Sequence, residues 1–290
     1  MGWKSQISSK GIYMKLQYWG TAASEGWPAL FCRCDACQQA RQLAGKNIRT
    51  RSQALVDDAL LLDFPADTYF HSLQYGTDLS HIAHILITHS HEDHFYPLDM
   101  ILRVPPYGHN QAVPKARVYG NARVMEMLNQ AIAVCGYPER EVLRYLEPVV
   151  VSPYTPFQAG EYTVTALLAD HIPNEDCYLY LIQREGKTLL YAHDTGVFPK
   201  ETWEYLQGIH IDLLSIDCTF VTSSCDRNHL GLPNVVAVRD RLRAMGCLDS
   251  ESRVVINHFS HNIPVLHDKL SQEADKFGII TAYDGFTITV

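Results

Sequence analysis

The sequence predicts an α/β protein of layered sheets and helices, and three observations carry that reading. Short apolar runs of strand length alternate with helix-like stretches from end to end. No repeat, low-complexity tract or Pro/Gly/Ser linker divides the chain, so residues 12–290 read as one domain behind a polar leader at 1–11. The 290 residues are 47% hydrophobic and 19% charged, enough apolar material for a sizeable core. In order, strands are expected at Ile12–Tyr18, Ala54–Val56, Leu60–Asp63 and Ile82–Thr88, each closed by polar or glycine residues. Arg117–Tyr119, Tyr162–Leu168, Tyr178–Gln183 and Thr188–Ala192 follow, then Leu213–Asp217, Val254–Asn257 and Phe286–Val290. A helix is expected over Ala122–Val134, with Val124, Leu128 and Ala131 on one face and Asn121 as its cap. Asn234–Met245 is closed by Gly246. Ile263–Phe277 is expected to begin with Pro264 in its first turn and to stop at Gly278.

Composition excludes several functions. A net charge of −8 and a pI near 5.9 argue against a basic groove for long nucleic acid. No apolar run reaches the roughly 18 residues of a membrane helix, and Met1 to Lys10 lacks the apolar stretch of a secretory signal. Met1-Gly2 begins like a myristoylation site, but Gln6 stands where Ser or Thr is wanted. Of eight cysteines, Cys32, Cys34 and Cys37 fall within six residues, a spacing that suits a metal better than separate disulfides. Cys135, Cys177, Cys218, Cys225 and Cys247 read as reduced thiols, which fits a reducing cytoplasm.

The chemistry is concentrated in Thr88-His89-Ser90-His91-Glu92-Asp93-His94. An HxHxDH pattern should arise by chance about once in 500 chains of this composition, so a random origin is a poor account of it. It follows an apolar strand, where α/β active sites form, and imidazole with carboxylate suits Zn, Mn or Fe. Further ligands are expected at later strand ends. His171 follows Val164–Ala169, Asp194 follows Leu189–Ala192, and His258 follows Val254–Asn257.

The order HxHxDH, His171, Asp194, His258 resembles the metallo-β-lactamase superfamily of metal-dependent hydrolases over nearly the whole chain. The resemblance implies a four-layered αβ/βα sandwich with two divalent ions at the strand ends between its sheets. It implies His89, His91 and His171 on one ion, Asp93, His94 and His258 on the other, and Asp194 bridging them. Asp63 would be the structural aspartate beneath the metal loop. The β-lactamases themselves place a cysteine on the second metal, where this chain offers Asp194.

Two more motifs narrow the resemblance. Cys32, Cys34 and Cys37 give three thiolates for one ion, and His261 in His258-Phe259-Ser260-His261 is a natural fourth ligand for a tetrahedral zinc. Arg227-Asn228-His229 follows the strand Leu213–Asp217. Together these resemble the PhnP-like cyclic phosphodiesterases of the carbon–phosphorus lyase pathway, which implies a structural zinc and a catalytic role for His229. Relative to that branch this chain has extra residues at its start and around Pro105–Pro148. The PQQ-biosynthesis proteins share CxCxxC but have a degraded catalytic motif, whereas His89, His91, Asp93 and His94 are intact here. The tRNA-processing nucleases hold RNA with a basic arm, and the most basic stretch here, Arg41–Arg51, reads as a solvated helix end. The expectation is therefore a hydrolase with two active-site ions, Zn or Mn, acting on a small-molecule phosphodiester. His229 and Asp194 are its expected catalytic residues, and no membrane or long nucleic acid is expected as partner. A homodimer is compatible with it. A thioester, lactone or amide hydrolase, a tRNA-processing-type nuclease and a non-catalytic accessory protein are the alternatives.

Overall fold

The computed structural model describes residues 13–290, so the expected leader at 1–11 lies outside the described residues. Seven strands form each of two mixed sheets. In chain order they are β1 (Lys15–Gly20), β2 (Gln53–Val56), β3 (Leu60–Leu62), β4 (His84–Leu86), β5 (Ala116–Gly120), β6 (Leu146–Val150) and β7 (Phe157–Ala159). They continue with β8 (Tyr162–Leu168), β9 (Tyr178–Arg184), β10 (Lys187–Ala192), β11 (Leu213–Asp217), β12 (Arg253–Asn257), β13 (Ile280–Thr281) and β14 (Thr287–Thr289). The first sheet runs β14-β1-β2-β3-β4-β5-β6 and the second β13-β12-β11-β10-β9-β8-β7. The helices are α1 (Asp35–Leu43), α2 (Thr68–Gln74), α3 (Ala122–Val134), α4 (Glu139–Val142), α5 (Lys200–Leu206), α6 (Leu232–Ala244) and α7 (His267–Asp275).

Alternation along the strands builds three cores, and three cores mean four layers. Leu60 and Leu62 of β3 face Leu189 and Tyr191 of β10 in the core between the sheets. Leu61 turns outward with Val124, Leu128 and Ile132 of α3. Leu190 and Ala192 turn outward with Trp203 of α5, Val235 and Leu242 of α6, and Leu270 of α7. Helix α3 matches its expected span, and Asn121 Oδ1 accepts from Val124 N at 2.8 Å.

Other boundaries differ for physical reasons. The strand expected at Ile12–Tyr18 begins at Lys15 among the described residues, and that expected at Ile82–Thr88 shortens to β4. The last helix starts at His267 rather than Ile263, so Pro264 precedes it instead of opening it. Residues around Pro105–Pro148 include β5, α3 and β6, elements of the first sheet and its outer layer. Among the described residues no helix is long and apolar enough to cross a membrane.

Candidate metal centre

Strands β10, β11, β12 and β13 are parallel, and β8 runs in the same sense as β10 because each is antiparallel to β9. Their carboxyl ends therefore share one rim, and β4 delivers the HxHxDH loop to it from the other sheet. At this rim the structure brings His89, His91, His171 and Asp194 together, and beside them Asp93, His94, Asp194 and His258. In each set the ligand atoms lie within 4.8 Å of one another. Asp194 belongs to both.

The backbone turns left-handed just past three strand ends at the rim: φ is 64° at Asp63, 50° at Asp194 and 63° at His258. Such angles are uncommon outside glycine and gather at functional sites.

Partners beneath the rim orient His94, His258 and His171. His94 Nδ1 lies 2.7 Å from Asp63 Oδ2, and Asp63 Oδ1 accepts from Thr88 N at 2.8 Å. His258 Nδ1 meets Thr219 Oγ1 at 2.8 Å, and His171 Nδ1 meets the Asn228 carbonyl at 3.1 Å. Each contact leaves Nε2 facing the cluster. His94 Nε2 and His258 Nε2 then stand 3.3 Å apart, and His89 Nε2 is 3.0 Å from His91 Nδ1. Asp194 Oδ2 is 3.4, 3.2 and 3.5 Å from the Nε2 atoms of His89, His94 and His171. Asp194 Oδ1 is buried and lies 2.8 Å from His258 Nε2.

Lone pairs aimed at one another in a dry site need positive charge between them. In the protein alone, protons take that place: burial works against a charged His258, yet Asp194 leads the contacts that drive it up to about 10. Burial and then His94 hold His89 well below the ordinary histidine range. A donor set of imidazoles and carboxylates in this arrangement fits two divalent cations.

A cavity of about 310 Å³ opens over the cluster. His229 stands on its wall, with Nδ1 3.0 Å from Asp217 Oδ2 and 3.1 Å from Thr219 Oγ1. Burial pulls the His229 imidazole down, but Asp217 raises it further, and the net shift is upward. Asp217 and His229 also fall within 4.8 Å of Asp194 and His258. Asp217 is already engaged by Thr219 N, Thr219 Oγ1 and Leu230 N, so it serves as the partner of His229 rather than as a free ligand. The Arg-Asn-His loop is stitched down by Arg227 Nε to Asp170 Oδ2 at 2.8 Å. Gly196 packs against it so closely that a Cβ would lie 2.5 Å from the Asp226 carbonyl.

The second cluster holds Cys32, Cys34, Cys37 and His261, again within 4.8 Å. Cys34 Sγ is 3.6 Å from His261 Nδ1. Backbone N–H groups already point at the other sulfurs, Ala29 N to Cys37 Sγ at 3.3 Å and Cys34 N to Cys32 Sγ at 3.4 Å. The Cys37 backbone, and after it His261, brings the Cys34 thiol down to about 6 against burial.

The expected metal ligands thus stand in the two clusters, Asp63 lies beneath the first, and His229 is on the cavity wall beside it. Sequence reasoning missed Asp217, Thr219 and Glu175, whose carboxylate receives Ser90 N at 2.9 Å and Asn121 Nδ2 at 2.7 Å. Asp217 ended a recognised strand, which was a usable signal; Glu175 carried none.

Two ligand sets that share Asp194 at the rim of two facing sheets define a candidate dinuclear metal centre. The chain belongs to the beta-lactamase superfamily domain family, which it matches over residues 61–259. Its fold is shared by a diphosphatase from the PhnP family, 22% identical with a TM-score of 0.73, covering 96% of this chain and 98% of that one. Zn(2+)-bound PqqB from Methylobacterium extorquens is 18% identical with a TM-score of 0.73, over 94% and 99%. The short form of human tRNase Z is 15% identical with a TM-score of 0.65, over 94% and 98%. No curated protein matches the sequence.

Proposed function

We propose that this protein is a phosphodiesterase that hydrolyses a small phosphodiester, cyclic or nucleotide-like, in a reducing cytoplasm. The observation that carries the reading is His229, backed by Asp217, on the cavity wall beside the ligand cluster. A phosphodiester expels an alkoxide that needs a proton, and an imidazole raised by a carboxylate is suited to give one. A thioester expels a thiolate, which has far less need of it.

His89, His91 and His171 would hold one ion, Asp93, His94 and His258 the other, with Asp194 shared. Zn or Mn suits these donors. Two such ions supply an acidified water and offset charge on phosphoryl oxygens. Asp63, Thr219 and the Asn228 carbonyl fix the imidazoles that face them. His229 keeps its Nδ1 on Asp217, so its Nε2 is the atom that presents a proton to the departing oxygen. The cysteine cluster with His261 is a structural zinc site that braces the loop after β12. The cavity volume suits a small-molecule partner, and a homodimer is compatible with this site.

A hydrolysis screen with Zn or Mn supplied tests the reading. Bis(p-nitrophenyl) phosphate and nucleoside 2′,3′-cyclic phosphates should be cleaved well above p-nitrophenyl phosphate, thioesters and lactones. Preference for a thioester or lactone would overturn it.

A further inference from the structure

The cavity wall beyond the ligand cluster is chemically uneven. Ser24, Glu25, Phe220, Asn262 and Ile263 line it, and among the described residues no Lys or Arg does. Two arginines of neighbouring segments are paired elsewhere. Arg227 pairs with Asp170, while Arg51 pairs with Asp67 at 3.1 Å and donates through Nε to the Ser24 carbonyl.

Glu25 is held firmly. Gly26 N closes a turn on the Ala23 carbonyl, Leu30 N donates to the Glu25 carbonyl, and Oε1 accepts from Ser260 Oγ at 2.5 Å. His261 Nε2 stands 3.8 Å from the same oxygen, so the cysteine cluster and the cavity wall meet at this side chain. Among the described residues its Oε2 has one hydrogen-bond partner, Ser24 Oγ at 3.5 Å, and the side chain stays 26% exposed. A carboxylate accepts about four hydrogen bonds, so most of its capacity remains for a ligand.

We propose that Glu25 is a specificity-determining residue: it selects phosphodiesters whose organic arm donates hydrogen bonds and carries no negative charge. The inference rests on the phosphodiesterase reading and names its substrate class. Ions at the cluster would answer the charge of the scissile phosphate. A second phosphate on the arm would meet the Glu25 carboxylate in a partly dry cleft whose wall, among the described residues, offers it no Lys or Arg, while His229 is turned to the scissile phosphate, and like charges so placed repel strongly. A hydroxyl-bearing arm instead donates to Glu25 and lays its apolar face on Phe220 and Ile263.

The test compares a nucleoside 2′,3′-cyclic phosphate with the same molecule carrying a 5′-phosphate, on the metal-loaded protein. The parent should favour the first by roughly 10–100-fold in kcat/KM. Glu25→Gln should bring the ratio toward one, and Glu25→Lys should invert it. Calorimetric binding of a nucleoside 3′-phosphate against the 3′,5′-bisphosphate should follow the same order. Equal use of both substrates by the parent, or a ratio that ignores both substitutions, overturns the proposal. If no phosphodiester is cleaved at all, the phosphodiesterase reading fails, and the binding ratio decides the role of Glu25 separately.

Discussion

Asp194 is the residue on which the two ligand sets depend. Its two oxygens reach four imidazoles between them, and its removal would leave those nitrogens opposed with no shared carboxylate. Asp194→Ala should strip metal from both sites and abolish turnover, whereas Asp93→Ala should empty mainly one. Metal analysis beside activity checks this, and full occupancy with activity within about tenfold would refute the bridging role. His229 asks a different question because it touches no proposed ion. His229→Ala should leave metal content intact and lower kcat by roughly 10²–10⁴. The loss should be greater for an alkyl leaving group than for p-nitrophenolate, which departs with little help. An equal loss for both would count against proton donation. Histidines and aspartates clustered in HxHxDH are conspicuous by spacing alone, so most of this site was legible before the fold. Asp217 and Glu175 are single acids whose importance comes from what the fold sets beside them.

Among the elements, those written in local signals were read closely. Helix α3 has a capping asparagine and a regular apolar stripe, and β8 and β11 have the expected bounds. Strand β6 was missed because Leu146-Glu147-Pro148-Val149-Val150 contains a proline; it is an edge strand, where a missing N–H is tolerated. The start of α7 was misplaced because the segment after β12 is occupied by the loop carrying His258 and His261. That loop gives a prediction of its own. The two histidines are three residues apart, one in each cluster, so the cysteine site should act on activity only through the position of His258. Cys34→Ser should lose one zinc per chain and melt roughly 5 °C lower or more, the effect of losing about 2 kcal/mol in a protein of this size. Turnover should fall less than in Asp194→Ala. Unchanged zinc and melting temperature would remove the cysteine site from the account.

A buried polar chain crosses the whole molecule, tying the turn after β1 to the segment between β13 and β14. Arg49 Nη1 donates to Thr21 Oγ1, and Thr21 Oγ1 and Thr50 N donate to Asp284. Thr50 Oγ1 lies 2.7 Å from His71 Nε2, His71 Nδ1 lies 2.6 Å from Gln53 Oε1, and Gln53 Nε2 donates to the Asp63 carbonyl. Burial pushes the Asp284 carboxyl up to about 6, against the threonine hydrogen bonds and the Arg49 charge. Burial pushes His71 the other way, down to about 4, against Asp67. Between pH 4 and 6 the folded state keeps a proton on Asp284 that the unfolded chain has released, so this contribution weakens as pH rises. Over the same range it lacks the proton that the unfolded chain places on His71 below about 6.5, so that contribution weakens as pH falls. The two oppose each other. Asp284→Asn removes the first, and stability should then fall with acid more steeply than in the parent, by up to about 1.4 kcal/mol per pH unit. Unfolding curves at pH 4, 5 and 6 measure it, and parallel slopes for variant and parent would contradict it. None of this chain was visible in the sequence, because its members are scattered from Thr21 to Asp284 and only the sandwich brings them together.

The left-handed turns at the ends of the ligand-bearing strands have a consequence for which replacements the rim can accept. Apart from glycine, that backbone shape is visited most readily by asparagine, aspartate and histidine. Asp63, Asp194 and His258 all come from this short list, and two of its three members are themselves metal-binding side chains. A chain that bends this way at the mouth of its sheets has therefore narrowed its alphabet before any metal arrives, and what survives the narrowing is already suited to coordination.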